Sequence, residues 1–365
     1  MANIQTRRAV EGIVSYPLGD SPEEIKEKFH LRTVRKMSDN ENVYGCSNRV
    51  KGAIAQNLNQ LSLYPDGTTG RLIKKLSSFY QLEQEQFLIG NGSEEIIRLL
   101  ARAYINPGDE AIMASMTFPR YETNVVIEGG TVSTVPMVNG THDLANMYDM
   151  ITEKTKMIFI CNPNNPTGTI VGKEELLRFI KNIPPHILII LDEAYYEYVS
   201  SNDYLESIPL LSNYSNLVIL RTFSKIYGLA SLRIGYGIMH PSIAKELYKV
   251  KEVFNVNQLA QVAAEIALED QEFIKGCAEK NEMERTLVCE QLQELGLGYF
   301  PSETNFVYVY TQQPVSAKLI TNGIVVRKMN LTGYADAFRI TLGTREDNKF
   351  FIETLKEEIG REKAV

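Results

Sequence analysis

The chain has few cysteines, and none of the four (Cys46, Cys161, Cys277, Cys289) belongs to a CxxC pair. Their spacing matches no disulfide framework and no zinc site, so the expectation is reduced thiols in a cytoplasmic protein without a structural metal. No eighteen apolar residues run together, and no membrane span is expected. The first residues, Met1 to Arg8, include basic side chains with no apolar stretch behind them, which argues against a signal peptide. A net charge of -7 and a pI near 5.4, with no long basic block, argue against a dedicated surface for nucleic acid or anionic lipid. No GxxxxGK[ST] loop is present, which removes the P-loop ATPases. Repeats of solenoid or propeller period and low-complexity tracts are also missing.

What remains is a 365-residue chain with enough apolar content for a large core. Ser21-Pro-Glu-Glu24 reads as an N-cap and first helical turn. From about residue 50 to 250, short β-rich runs alternate with amphipathic helical segments, the pattern of a parallel sheet with crossovers. Residues 259–295 then read as helix, followed by short strands at 305–310, 323–327 and 337–341 and a last helix from about Arg345. The expected class is α/β. A large, mainly parallel-sheet domain spans residues 46–255, and residues 1–45 plus 256–365 form an N-terminal arm and a smaller α+β domain.

Three apolar runs end in polar groups. Met157–Cys161 leads into Asn162-Pro-Asn-Asn-Pro-Thr-Gly168, and Ile187–Leu191 leads into Asp192-Glu-Ala-Tyr195. Leu217–Leu220 leads into Arg221-Thr-Phe-Ser-Lys225. Ligands of α/β folds bind beyond the carboxyl ends of such strands. An amine that attacks an aldehyde must be neutral, which burial and nearby cations favour, and Arg221 and Arg233 are near Lys225 in sequence. Asp192 is costly to bury without a cation, and the protonated ring nitrogen of pyridoxal 5′-phosphate (PLP) is such a partner. Tyr195 and Asn165 are candidates for the phenolic oxygen of the same ring. Gly90-Asn-Gly-Ser93 before an amphipathic helix offers free N–H groups to a phosphate, and Thr222, Ser224 and Arg233 add hydroxyls and a guanidinium. Phe118 is a candidate for stacking on the ring, with core packing as the ordinary alternative.

The ordered motifs Asn164-Asn-Pro-Thr-Gly168, Asp192-Glu-Ala-Tyr195 and Ser224-Lys-x-x-Gly-Leu-Ala-x-x-Arg233 resemble those of fold-type I, class I/II aminotransferases. With Tyr64-Pro-Asp-Gly67, Gly90-Asn-Gly-Ser93 and Arg221-Thr-Phe-Ser-Lys-Ile-Tyr-Gly-Leu-Ala230, the likeness narrows to the histidinol-phosphate aminotransferase family. The resemblance implies a two-domain PLP-dependent homodimer with shared active sites. Lys225 would link the cofactor and shuttle a proton, and Asp192 would pair with its ring nitrogen. Asn165 and Tyr195 would bind its phenolic oxygen. Gly92, Ser93, Glu94 (through its backbone), Thr222, Ser224 and Arg233 would hold the phosphate, joined by Tyr64 from the partner subunit, and Phe118 would stack on the ring. Tyr16, Asn42, Arg327 and Arg339 would contact substrate, an amino donor or 2-oxo acid, with the two arginines suited to oxyanions.

Three segments depart from that family's pattern: Asn40-Glu-Asn-Val-Tyr-Gly45, Lys328 to Tyr334, and Val253 before Phe254-Asn255. They leave open an aminotransferase for an aromatic or other amino acid, a PLP-dependent decarboxylase or lyase, or a PLP-fold binding protein.

Overall fold

The computed structural model describes residues 4–15 and 19–363. After a short strand β1 (Arg35–Lys36), seven strands build the main sheet: β2 (Phe87–Gly90), β3 (Glu110–Ala114), β4 (Thr131–Val135), β5 (Thr155–Cys161), β6 (Leu188–Asp192), β7 (Leu217–Thr222) and β8 (Gly235–Met239). Their order is β2-β8-β7-β6-β5-β3-β4. Strands β3 to β7 are parallel, while β8 runs antiparallel to both β7 and β2. The sheet is therefore mainly parallel, with β8, one strand in from the edge, as its reversed strand.

Both faces of this sheet are covered, which is why its strands read as continuous apolar runs. Ile158, Ile160, Ile189, Leu191, Leu217 and Ile219 enter one buried cluster. Their neighbours Met157, Phe159, Leu188, Ile190, Val218 and Leu220 enter the cluster on the other face. Fully burying one such aliphatic side chain stabilises by about 1.5–3 kcal/mol. The helix Ser93–Tyr104 shows the complementary pattern. Ile96, Ile97, Leu99, Leu100 and Ala101 are buried along one face, and the helix gives way to extended backbone at Ile105.

A second, antiparallel sheet has the order β12 (Arg327–Met329), β13 (Asp336–Thr341), β10 (Phe306–Thr311), β9 (Gly298–Tyr299). It covers a third buried cluster that includes Val307, Val309, Phe338, Ile340 and Phe351. The run expected as one strand over 323–327 divides. Its first part, β11 (Ile324–Val325), pairs in parallel with β1, and Arg327 starts β12 on the other sheet. The partner that splits it comes from almost 300 residues away, so no local pattern announces the division.

The helical run expected over 259–295 is two helices, Gln258–Ala267 and Gln271–Glu294, separated at Asp270, whose side chain caps the second. The longer helix joins two clusters: Ile274 and Cys277 enter the main-sheet cluster, and Val288 and Leu292 enter the third. Ser21 caps Pro22–Lys28 with a reciprocal capping box to Glu24, as its sequence suggests. None of the described helices is long and apolar enough to cross a membrane.

Candidate active site

Parallel strands in register bring their last residues level. Cys161 of β5 lies opposite Asp192 of β6, and Asp192 lies opposite Leu220, two residues before the end of β7. Beyond these ends lies a cavity of about 130 Å³ lined by Ser93, Glu94, Phe118, Asn165, Asp192, Tyr195, Thr222, Ser224, Lys225 and Arg233, together with Cys161 and Ala194. Residues spread over some 140 positions meet here because three strands stop at one edge.

Asp192 is buried, and its two oxygens accept from the Tyr121 hydroxyl (2.7 Å) and the Ala194 N–H (3.1 Å). Burial pushes its pKa up to about 6, and hydrogen bonds from Tyr121 and Ala194 resist only in part. Among the described residues no ion pair neutralises it. A ligand that brings a cationic ring nitrogen to this carboxylate suits the position.

Lys225 lies in the turn after β7, with Nζ 3.3 Å from the Asp39 carbonyl and 5.4 Å from the Tyr195 ring centre. Burial, then the positive charges of Arg339 and Arg233, lower its pKa to about 8. Arg221, expected from its nearness in sequence to help depress Lys225, has another task. Its Nη2 lies 2.7 Å from buried Glu193, and its guanidinium stacks over Tyr196 at 3.5 Å. Alternation along β7 turns Arg221 into the core while Thr222 faces the cavity. Arg339, distant in sequence, supplies the cation instead.

The Tyr195 hydroxyl accepts from the Asn40 amide at 2.9 Å, and burial raises its pKa, so it stays protonated. Asn165 accepts from Nη1 of Arg339, whose Nη2 donates to the Ser38 carbonyl at 2.7 Å. Phe118 meets Tyr121 edge-on at 5.5 Å.

One wall is made for an anion. The helix Ser93–Tyr104 starts at the cavity, and the N–H groups of its first turn have no acceptor within the helix. Arg233, at φ 54°, turns its guanidinium toward this helix start, with Nη1 3.3 Å from the Ser224 hydroxyl. A Cβ on Gly92 (φ 77°) would lie 2.7 Å from Nη2 of Arg233, so only glycine leaves this guanidinium in place. The Glu94 carboxylate is engaged by Arg120, leaving its backbone to face the cavity. The donor set fits a phosphate group.

Other expected residues lie elsewhere in the single chain. Tyr64 is 83% exposed and stacks on Phe254 at 4.7 Å. Asn42 donates to the Ile226 carbonyl at 2.6 Å, next to Lys225, without lining the cavity. Arg327 pairs directly with Arg339 across β12 and β13, which puts both side chains on one face of that sheet. Tyr16 lies outside the described residues. None of the departures at Val43, Val253 and 328–334 lines the cavity. Sequence reasoning missed Tyr121 and Asn40, the partners of Asp192 and Tyr195. Asn40 heads a segment already singled out, Asn40-Glu-Asn, whereas Tyr121, three residues beyond Phe118, belongs to none. Two wider surface grooves, of about 730 and 620 Å³, lie away from this constellation, one beside Arg71 and Lys75 and the other beside Tyr148 and Arg178.

Residues 32–355 match the family described as aminotransferase class I and II. The chain is 43% identical to the histidinol-phosphate aminotransferase of Geobacillus thermodenitrificans (strain NG80-2) over 365 residues, covering 99% of this chain and 100% of that protein. It is 42% identical to the histidinol-phosphate aminotransferase of Bacillus subtilis (strain 168) over 346 residues, 94% and 96% of the two chains. Among solved structures, the histidinol-phosphate aminotransferase of Sinorhizobium meliloti in complex with pyridoxal-5′-phosphate superposes with a TM-score of 0.91 at 25% identity, covering 99% of each chain. The chain belongs to the class I and II aminotransferases.

Proposed function

We propose that this class I and II aminotransferase binds PLP through Lys225 and transfers the amino group of L-histidinol phosphate to 2-oxoglutarate, giving imidazole acetol phosphate and glutamate in histidine biosynthesis. The observation that carries the reading is one cavity holding a depressed lysine, a buried carboxylate without a cation, and a helix start beside Arg233. When bound, PLP supplies a ring that withdraws the negative charge developing at the substrate's α-carbon. Asp192 would keep a carboxylate against the ring nitrogen, and Asn165 and Tyr195 would hold the ring's oxygen edge. With a pKa near 8, Lys225 can take a proton at Nζ and return it near neutral pH. Borohydride reduction of the holoenzyme followed by peptide mapping should place the pyridoxyl label on Lys225. A label on another lysine, or none, would end the reading.

Arg339 and Arg327, side by side on one sheet face, provide two guanidinium groups for substrate oxyanions. Losing one charge-assisted hydrogen bond costs about 1.5–3 kcal/mol. Arg327→Ala should therefore cut kcat/KM for histidinol phosphate by roughly 10–150-fold. The glutamate half-reaction, which leans on Arg339, should suffer less. Equal losses in both half-reactions would remove the phosphate role from Arg327.

The active form in this reading is a cytoplasmic homodimer. Tyr64 and Phe254 stack in the open, flanked in sequence by exposed Leu63 and Val253, an apolar surface suited to a second copy, with Tyr64 reaching the partner's phosphate site. Inactive Tyr64→Ala and Lys225→Ala proteins, mixed under conditions of subunit exchange, should regain part of the activity through hybrid sites. Full activity in a strictly monomeric preparation would exclude sharing. The division into a cofactor unit over 46–255 and a second unit from 1–45 plus 256–365 belongs to the same proposal. Pairing of β1 with β11 supports it, although Gln258–Ala267 buries its alanines in the main-sheet cluster.

A further inference from the structure

A buried imidazole that the proposed reaction does not use lies behind the cavity wall. His142 is buried, and its Nε2 is 3.2 Å from Oδ1 of Asn164. That oxygen also accepts the Thr117 hydroxyl at 2.8 Å. Both amide hydrogens of Asn164 are engaged, one by the Met116 carbonyl (3.0 Å) and one by the Thr167 hydroxyl (2.8 Å). An amide oxygen can only accept, so the neutral ring must carry its hydrogen on Nε2. Nδ1 is then a bare acceptor, and it is the ring atom without a hydrogen-bond partner. Burial lowers the imidazole pKa to about 4, against weaker opposing pulls from Asn164 and the Cys161 backbone, so the neutral form prevails at pH 7.

Asn164 is thereby the knot between two segments that reach the cavity. Met116 and Thr117 lead directly into Phe118, and Thr167 closes the turn that holds Asn165. A second strut backs the same turn, where Thr167 meets Thr169 at 2.9 Å and Thr169 donates to the Gly140 carbonyl at 2.6 Å. A phenyl ring would fill the His142 site without burying an unpaired Nδ1, so the benefit of histidine here has to come from the Nε2–H bond.

We propose that His142 is a positioning residue whose Nε2–H anchors Asn164, and that through Asn164 it holds Phe118 and Asn165 in place for the cofactor ring. The proposal rests on the PLP reading above and adds a residue that touches neither cofactor nor substrate. Its test is cofactor binding, read apart from turnover. The His142→Phe protein should bind PLP about 3–10-fold more weakly, the effect of one lost neutral hydrogen bond. The rise in Tm that PLP gives should shrink accordingly. Thr117→Val removes the other donor to the same oxygen and should act in the same direction. His142→Gln, whose side-chain amide can donate to Asn164, should restore binding to within about twofold of wild type.

A His142→Phe protein with wild-type PLP affinity and only a lowered cofactor-free Tm would reduce the residue to packing and overturn the proposal. A Gln variant no better than Phe would do the same. Should His142→Phe fail to fold, wild-type affinity in Thr117→Val decides against the proposal. Failure of the wild-type protein to bind PLP is a different result, because it removes the functional reading itself.

Discussion

The Lys225→Ala protein should lose transamination by about 10⁴-fold or more in kcat, since proton transfer by a positioned group alone contributes about 10²–10⁴. The same substitution also removes the covalent tether. The premise is local: burial and the charges of Arg339 and Arg233 hold this amine near pKa 8, where an exposed lysine would be almost wholly protonated at pH 7. Single-turnover mixing with each amino donor and measurement of the cofactor's absorbance change reads the effect directly. PLP should still bind through the wall around Arg233, so a slow variant that retains cofactor separates loss of chemistry from loss of the site. Near-normal turnover in Lys225→Ala would show that the base is elsewhere, whatever the family resemblance implies.

The cavity wall was largely legible in the sequence because its residues are tied to strand ends. An apolar run in a parallel sheet must stop at the sheet edge, and whatever follows it is delivered to the ligand side. Asn165, Asp192, Tyr195, Thr222, Ser224 and Lys225 all follow β5, β6 or β7 or end them, and all reach one cavity. The support behind that wall was much less legible. Tyr121 meets Asp192 across 71 positions, Asn40 meets Tyr195 across 155, and Arg339 meets Asn165 across 174. Such partners are set by sheet order and by how the second sheet docks, and neither leaves a periodic trace in the chain. Arg221 shows the opposite failure. Four residues from Lys225 in sequence, it points into the core because side chains alternate along β7 and Thr222, its neighbour, takes the cavity side. Its charge is absorbed by Glu193. Charge proximity along a strand is thus a poor guide to proximity in space, and the split of 323–327 between β11 and β12 repeats the lesson for pairing.

Asp192→Asn should slow the chemical step by roughly 10²–10³, the range seen when one preorganised electrostatic partner of developing charge is removed. Asparagine is nearly isosteric, and its oxygen can still accept from Tyr121 or Ala194, so the change isolates the charge from the shape. PLP affinity should fall much less, because the phosphate wall at Ser93, Ser224 and Arg233 is untouched. A second readout follows in cofactor-free protein. The carboxyl titrates near pH 6 when folded and near the usual 3.8 when unfolded. Between those values the unfolded chain binds fewer protons than the folded one, so this group makes the wild type less stable as pH rises from about 4 to 6. The asparagine variant lacks that loss. Its Tm relative to wild type should therefore climb across this window and level off above pH 6, and saturating PLP should diminish the climb, since a ring cation offsets the buried charge. A Tm difference flat from pH 4 to 7 would show that Asp192 is already neutralised within the protein, and the case for a cationic ligand at this carboxylate would fall with it.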